Sequence, residues 1–132
     1  MVVSGCFVRC GLHTNTAAQT IDRIIDSFEA TQQEQISFQL SATLLGILSQ
    51  RLVPRISGGL IPACELLINN AAVSNLIREN RVHEINSVIE TSGELGMIDL
   101  NRYLSDLVRA GEITIENAYL YSQNSKGLDR ML

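Results

Sequence analysis

His13 and Thr14 are the residues of this 132-residue chain whose types and positions most directly suggest chemistry. They follow the short apolar run that ends at Cys10, and a helix is predicted to open at Thr16 directly after them. A neutral imidazole and a hydroxyl at the tip of a strand can both reach a terminal phosphate or the water that attacks it. On these two residues alone, a hydrogen-bonded structural histidine is the simpler interpretation.

The other parts of a nucleotide site are missing from these 132 residues. A P-loop needs a glycine-rich turn followed by Lys and then Ser or Thr, and the only lysine, Lys126, follows no glycine-rich run. The carboxylates are scattered along the sequence, and no pair of them suggests general acid–base chemistry. We therefore expect that the chain does not hydrolyse ATP alone.

The cysteines and the composition exclude several classes of function. Cys6 and Cys10 would lie about 13 Å apart on one strand, which is too far for a shared metal ion or a disulfide. With Cys64 they are expected to be free thiols in a reducing cytosol. The net charge of −4 and the few aromatic residues argue against nucleic-acid binding. No apolar run is long enough to span a membrane.

The elements that position these residues are predicted from periodicity. Residues 6–12 are predicted to form a short buried strand, and Thr16 is predicted to cap a helix whose apolar face includes Ile21 and Ile25. Thr31 and Glu34 form a capping-box pattern. The helix that begins at this pattern is expected to be the longest of the chain. Its leucines are expected to continue as far as Leu48. A β-hairpin is predicted near residues 51–68, because apolar runs flank a glycine pair there. Its two prolines restrict it to edge or bulged strands.

The remainder is predicted to be helical. Asn69 or Asn70 caps a helix that turns Val73, Leu76 and Ile77 inward, and further helices cover residues 82–89 and 98–108. Gly111 is expected at the C′ position of the latter, and Thr114 is expected to cap a last amphipathic helix. Residues 122–132 are polar and are expected to fray or to dock on a neighbouring molecule.

Three ordered blocks of sequence resemble a known family. Ser4–Arg23 resembles the histidine box of the type II/IV secretion ATPases. Ala72–Glu79 is similar to the Ala-Ile-Arg-Asn-Leu-Ile-Arg-Glu signature of the pilus-retraction branch of that family, and Ile89–Met97 is similar to the Gly-Met turn that follows it. Ser74 replaces an arginine of the signature. The absence of a Cys-x-x-Cys pair, which would indicate a zinc insert, favours the retraction branch over the assembly and export branches.

The resemblance implies a fold that is mainly α-helical with a β-hairpin, as the C-terminal helical part of a RecA-like α/β P-loop ATPase domain. Under this resemblance, residues 1–132 form one truncated domain. Residues 4–30 would supply a strand and a helix of the RecA-like core, and residues 31–132 would form a helical C-terminal subdomain. The strand at 6–12 would then lack its neighbours. We expect it to pair with another copy, to refold or to be disordered, because an exposed edge is unfavourable.

The resemblance also assigns candidate site residues. His13 and Thr14 would lie near the γ-phosphate of ATP, and Arg23 would anchor its helix, face a neighbouring subunit or pair with Asp22 or Asp26. The signature residues that match are Ala72, Val73, Asn75, Leu76, Ile77, Arg78 and Glu79. Of these, Leu76 and Ile77 are expected in the core. Arg78 and Glu79 are expected at the surface, either coupling ATP turnover to retraction or forming a solvated helix end.

Three functions remain open at this stage. The chain is expected to be the C-terminal part of a cytoplasmic, hexameric ATPase that uses ATP and Mg to power type IV pilus retraction in twitching motility. It would work at the inner-membrane pilus machinery, and no nucleotide or metal is expected to be bound by the chain alone. The alternatives are a non-catalytic module that binds a full-length motor ring or the pilus base, and a part of a pilus-assembly or type II secretion ATPase.

Overall fold

A computed structural model describes residues 2–3, 6–7 and 16–132 of the chain. Strand β1 (Val2–Val3) pairs antiparallel with β2 (Cys6–Phe7). The predicted strand at 6–12 is therefore paired within the same chain over its first two residues, and residues 8–12 lie outside the described part. The same is true of His13 and Thr14.

Helices predominate over residues 16–132, around one β-hairpin. The helices are α1 (Ala17–Asp26), α2 (Ala30–Thr43), α3 (Ala71–Arg78), α4 (Ile85–Thr91), α5 (Leu100–Arg109), α6 (Ile115–Tyr121) and α7 (Ser125–Asp129), and the hairpin strands are β3 (Gly46–Pro54) and β4 (Leu60–Ile68). Short 3₁₀ turns at Val82–Glu84 and Gly93–Leu95 precede α4 and follow it. None of the described helices combines the length and apolar character needed to cross a membrane.

Helix starts follow the local signals that the sequence carries. The side chains of Thr16, Asn70 and Thr114 accept hydrogen bonds from the first-turn backbone N–H groups of α1, α3 and α6. Gly111 adopts a positive φ of 75° just after α5, as predicted. These predictions are confirmed because a cap is formed by residues that are adjacent in sequence.

The prediction for α2 is wrong at both ends. Thr31 lies inside the helix rather than at its cap, which is Glu29 and makes no side-chain capping bond. The helix ends at Thr43, and Leu48 belongs to β3. Leucines four residues apart fit a helix of 3.6 residues per turn and also one face of a strand with period two, so their spacing did not mark the boundary.

The hairpin begins five residues earlier than predicted, at Gly46. Its register is continuous from Gly46 opposite Ile68 to Pro54 opposite Leu60, with no bulge. Both strands are edge strands because the sheet has two strands, so Pro54 and Pro62 are tolerated there. An isolated bridge between Leu66 and Ile98 ties β4 to the segment before α5.

Two hydrophobic clusters lie along the hairpin. The first joins α1–α4 to the Leu67 end of β4, with Ile21, Ile77 and Ile85 at its centre. The second joins the Val53–Ala63 end to α5, α6 and α7. The hairpin therefore connects both halves of the described fold.

The C-terminal segment differs from the sequence prediction. Residues 125–129 form α7, and Leu128 is completely buried (0% exposed) in the second cluster. Asn101 on α5 donates from Nδ2 to the carbonyl oxygen of Asn124 at 2.9 Å, which fixes the entry to α7. The segment therefore packs on its own chain, through one buried leucine and several hydrogen bonds.

Candidate functional site

The start of α1 is the described region that is nearest in sequence to the predicted phosphate-sensing pair. Thr16 is buried and caps α1, accepting a hydrogen bond from the N–H of Gln19 to Oγ1 at 3.1 Å. One residue, Asn15, separates this cap from Thr14.

A carboxylate of the hairpin accepts a hydrogen bond from the first turn of α1. The backbone N–H of Ala17 donates to Oε1 of Glu65 at 2.8 Å, across 48 residues of sequence. Glu65 lies on β4 and is only 6% exposed. A negative charge at a helix N-terminus is favourable because it faces unpaired N–H groups and the positive end of the helix dipole.

The surroundings of Glu65 keep its carboxyl group less acidic than usual. Burial is the main cause of its raised pKa, and the nearby carboxylate of Asp99 raises it further. The hydrogen bond from Ala17 and the positive charge of Arg51 act in the opposite direction. Asp99 itself caps α5 and has a pKa raised mainly by burial.

A polar cavity of about 100 Å³ opens beside this contact. It is lined by Thr16, Glu65, Asn86, Glu90, Asp99, Leu100, Asn101, Gln123 and Asn124. Its three carboxylates accept hydrogen bonds, and its four side-chain amides can both donate and accept them. No group of three His, Cys, Asp or Glu side chains within the described residues is suited to hold a metal ion.

The described residues do not fit a bound triphosphate. The N–H groups of Ala17 and Gln19, which a phosphate would use at a helix N-terminus, already donate to Glu65 and Thr16. Three carboxylates around the cavity (Glu65, Glu90 and Asp99) repel an anion. A nucleotide bound next to α1 would have to be held by other residues.

Arg23 is exposed near the end of α1. Neither Asp22 nor Asp26 forms an ion pair with it among the described residues, although the sequence favoured such a pair. The proposed roles of Arg23 as a helix anchor or a contact to a neighbouring subunit stay predictions.

The signature block forms α3 and its C-terminal end. Val73 and Ile77 are completely buried and Leu76 is half-buried, as the sequence predicted for the core face. The exposed members of the block are Ala72, Asn75, Arg78 and Glu79. The helix thus presents one apolar face inward and one polar face outward.

A hydrogen bond and two exposed ion pairs that the sequence analysis missed lie at the polar end of α3. Arg78 donates to Oδ1 of Asn75, one helical turn earlier. Arg81 pairs with Glu79 at 2.9 Å and with Glu84 in the next turn. Arg81 lowers the pKa of Glu84 through a hydrogen bond and its charge. The three-residue spacing of Arg81 and Glu84 is the feature of the sequence from which this ion pair could have been predicted.

Ser74 occupies the position where the signature has an arginine, and it makes its own contacts. Its hydroxyl donates to the carbonyl oxygen of Ser41 at 2.8 Å, and Oδ1 of Asn69 lies 3.1 Å from the same hydroxyl. Nδ2 of Asn69 donates to the carbonyl oxygens of Ser41 and Leu44 at 3.0 and 2.8 Å. Ser74 therefore helps to satisfy the carbonyl groups at the end of α2.

Comparison with known proteins supports the family. No family profile matches the chain. It is 44% identical over 107 residues to the type IV pilus retraction ATPase PilT of Pseudomonas aeruginosa, covering 81% of this chain and 31% of that protein. It is 43% identical over 118 residues to a twitching motility protein of Neisseria gonorrhoeae, covering 89% of this chain and 32% of that one. The chain spans about a third of the length of these relatives.

A solved structure shows the same fold. A crystal structure of the pilus retraction motor PilT with bound ADP matches 90% of this chain and 33% of its own, with a TM-score of 0.79 and 46% sequence identity. The described fold is of the class found in the C-terminal part of a motor ATPase domain. Within that class, the chain belongs to the family of the pilus-retraction ATPase PilT.

Proposed function

We propose that this chain acts as the sensing and coupling part of a hexameric, cytoplasmic ATPase that powers type IV pilus retraction at the inner-membrane pilus machinery. The observation that carries this proposal is α3, where the retraction signature folds as an amphipathic helix with Val73 and Ile77 in the core. The 44% identity to the retraction ATPase of P. aeruginosa supports the same branch. ATP and Mg would be held by a P-loop outside these 132 residues.

The first test is catalytic. The purified 132-residue chain is expected to show no hydrolysis of Mg-ATP, because the described residues form no phosphate cradle and the sequence contains no P-loop motif. A chimera in which the chain follows the preceding part of the P. aeruginosa PilT is expected to hydrolyse ATP. Turnover by the chain alone, or a folded chimera without turnover, would contradict the proposal.

The second test concerns coupling at the end of α3. In a strain carrying the chimera, Arg78→Ala and Glu79→Ala are expected to abolish twitching while ATP hydrolysis is retained, since both side chains are exposed. Arg130→Ala, which changes another exposed arginine, is the matched control. Normal twitching in the Arg78 and Glu79 variants would show that this helix end is only solvated. Loss of pilus extension instead of retraction would favour the assembly branch.

The hairpin favours a second candidate function, that of a non-catalytic module docking on a motor ring. Its outer hairpin face consists of Leu48, Gln50, Leu52, Leu60, Pro62 and Cys64, which alternate with the core-facing residues and include no charge. Leu48, Leu52 and Leu60 are 63%, 52% and 57% exposed. Exposed apolar patches of this kind mark interaction sites.

Co-purification separates the two candidates. If the module proposal holds, the tagged 132-residue chain is expected to retain full-length P. aeruginosa PilT and to change its ATPase rate. Leu52→Glu should abolish retention, whereas Ile115→Glu, at another exposed apolar position on α6, should not. Absence of binding by the unchanged chain would eliminate the module proposal and leave the motor-part proposal standing.

A further inference from the structure

Glu65 interrupts the apolar pattern on the core-facing side of β4. The other inward positions of this strand are Ile61, Ala63 and Leu67, and Ala63 and Leu67 are completely buried. Among the described residues, no arginine, lysine or histidine forms an ion pair with Glu65. Burying a carboxylate in this way costs free energy relative to an apolar side chain, and such departures from a consistent pattern concentrate at functional sites.

We propose that Glu65 is a positioning residue that fixes the start of α1, the helix that follows the candidate sensing pair in the sequence, relative to β4 and the signature helix α3. This inference rests on the proposed motor function. The contact that carries it is the 2.8 Å hydrogen bond from the Ala17 N–H to Oε1 of Glu65. Glu65 thus contacts the backbone of α1 directly.

Two further features connect β4 to the segments on either side of the signature helix α3: a pair of backbone hydrogen bonds and a short link in the chain. Leu66, the next residue, exchanges backbone hydrogen bonds with Ile98 at 2.9 and 3.0 Å, which anchors β4 to the segment before α5. β4 then ends at Ile68, and α3 begins at Ala71 after its Asn70 cap. One strand therefore contacts the start of α1 through Glu65 and leads directly into the signature helix.

The geometry is tested first on the 132-residue chain itself by amide hydrogen exchange. Glu65→Leu is expected to accelerate exchange of the Ala17 amide by roughly tenfold or more, since a hydrogen bond to a charged group is lost. Exchange in α6 should not change. Glu65→Asp keeps the charge but shortens the side chain, and should show the same acceleration if the reach to Ala17 matters. Unchanged exchange at Ala17 in both variants would overturn the proposal.

The functional test uses the ATP-hydrolysing chimera described above. Glu65→Leu and Glu65→Asp should lower kcat by roughly tenfold while KM for ATP stays constant, because the residues that hold the nucleotide are elsewhere. Glu65→Gln, which retains an oxygen acceptor for the Ala17 N–H, should restore most of kcat. Glu116→Gln, which removes an exposed carboxylate in the first turn of α6, is the matched control.

The results of these experiments distinguish a failure of the proposed function from a failure of the proposed role of Glu65. A folded chimera that does not hydrolyse ATP overturns the proposed function and this inference with it. An active chimera in which the Glu65 variants keep the kcat of the unchanged chimera overturns this inference alone. A fall in kcat that only follows the folded fraction, measured by circular dichroism at the assay temperature, would show that Glu65 is merely structural and would also overturn it.

Discussion

The protonation state of Glu65 is the residue-level property with the clearest consequence for stability. Its pKa is raised mainly by burial, so the folded protein binds this proton more tightly than the unfolded chain. The slope of stability with pH follows the difference in bound protons. Glu65 therefore contributes most to the free energy of unfolding when the pH lies below the pKa of this carboxyl group in the unfolded chain. The contribution falls as the pH rises through the higher pKa of the folded state.

We predict that Glu65→Gln changes the pH dependence of stability in a defined direction. As the pH is lowered through the raised folded-state pKa of Glu65 toward the ordinary carboxyl range, the free energy of unfolding of the unchanged chain should rise relative to that of Glu65→Gln, because only the former gains a proton at this site. Urea unfolding at a series of pH values measures the difference. Parallel curves for the two proteins would contradict the raised pKa. Asp99 is unchanged in both proteins, so the effect of its own raised pKa largely cancels in the comparison.

At the scale of elements, Gly46 is the first residue of the hairpin, three residues after α2 ends. A Cβ atom at this position would lie 2.7 Å from the backbone carbonyl oxygen of Leu67, which is inside any normal contact distance. Gly46 pairs with Ile68 at the first rung of the ladder. The close approach of the two strands therefore requires glycine here, and the strand begins where that glycine stands.

Gly46→Ala is expected to destabilise the chain by about 1–3 kcal/mol, because the methyl group meets backbone rather than a flexible side chain. Gly93→Ala is the matched control, since a Cβ atom there meets nothing within 4 Å and its φ is not positive. Chemical unfolding of both variants gives the comparison. Equal stability of the Gly46 and Gly93 variants would show that the strands can separate at this end at little cost.

At the scale of the whole molecule, the C-terminal helix closes the second hydrophobic cluster. Leu128 on α7 is packed with residues of α5, α6 and both hairpin strands. Ser122 donates from Oγ to Oδ1 of Asn101 at 2.5 Å, and Asn101 is itself buried. The last eleven residues are therefore part of the fold rather than an appendage.

Leu128→Ala is expected to reduce the free energy of unfolding by about 2–5 kcal/mol through loss of buried area and creation of a cavity. Leu120→Ala is the control because Leu120 is 74% exposed, and its effect should stay within about 0.5 kcal/mol. Both are measured by urea unfolding monitored by circular dichroism. An effect of Leu128→Ala as small as that of Leu120→Ala would mean that the tail frays.

Local signals predicted much of this fold. The caps at Thr16, Asn70 and Thr114 and the glycine at 111 were correct, because each depends on bonds between near neighbours in sequence. The core residues of α3 followed from helical spacing. The end of α2 was not predicted, since leucines four residues apart satisfy both a helix and a strand, and only the pairing of Gly46 with Ile68 resolves the choice.

The amino-acid sequence by itself determined the family, the helix caps at Thr16, Asn70 and Thr114 and the inward face of the signature helix, because these depend on ordered motifs and short-range periodicity. Only the tertiary structure decided which carboxylate meets the start of α1. Glu65 and Ala17 are 48 residues apart, and their contact depends on the register of the hairpin and on how α1 packs against it. No local pattern encodes such a contact, because it is the sum of packing across two elements.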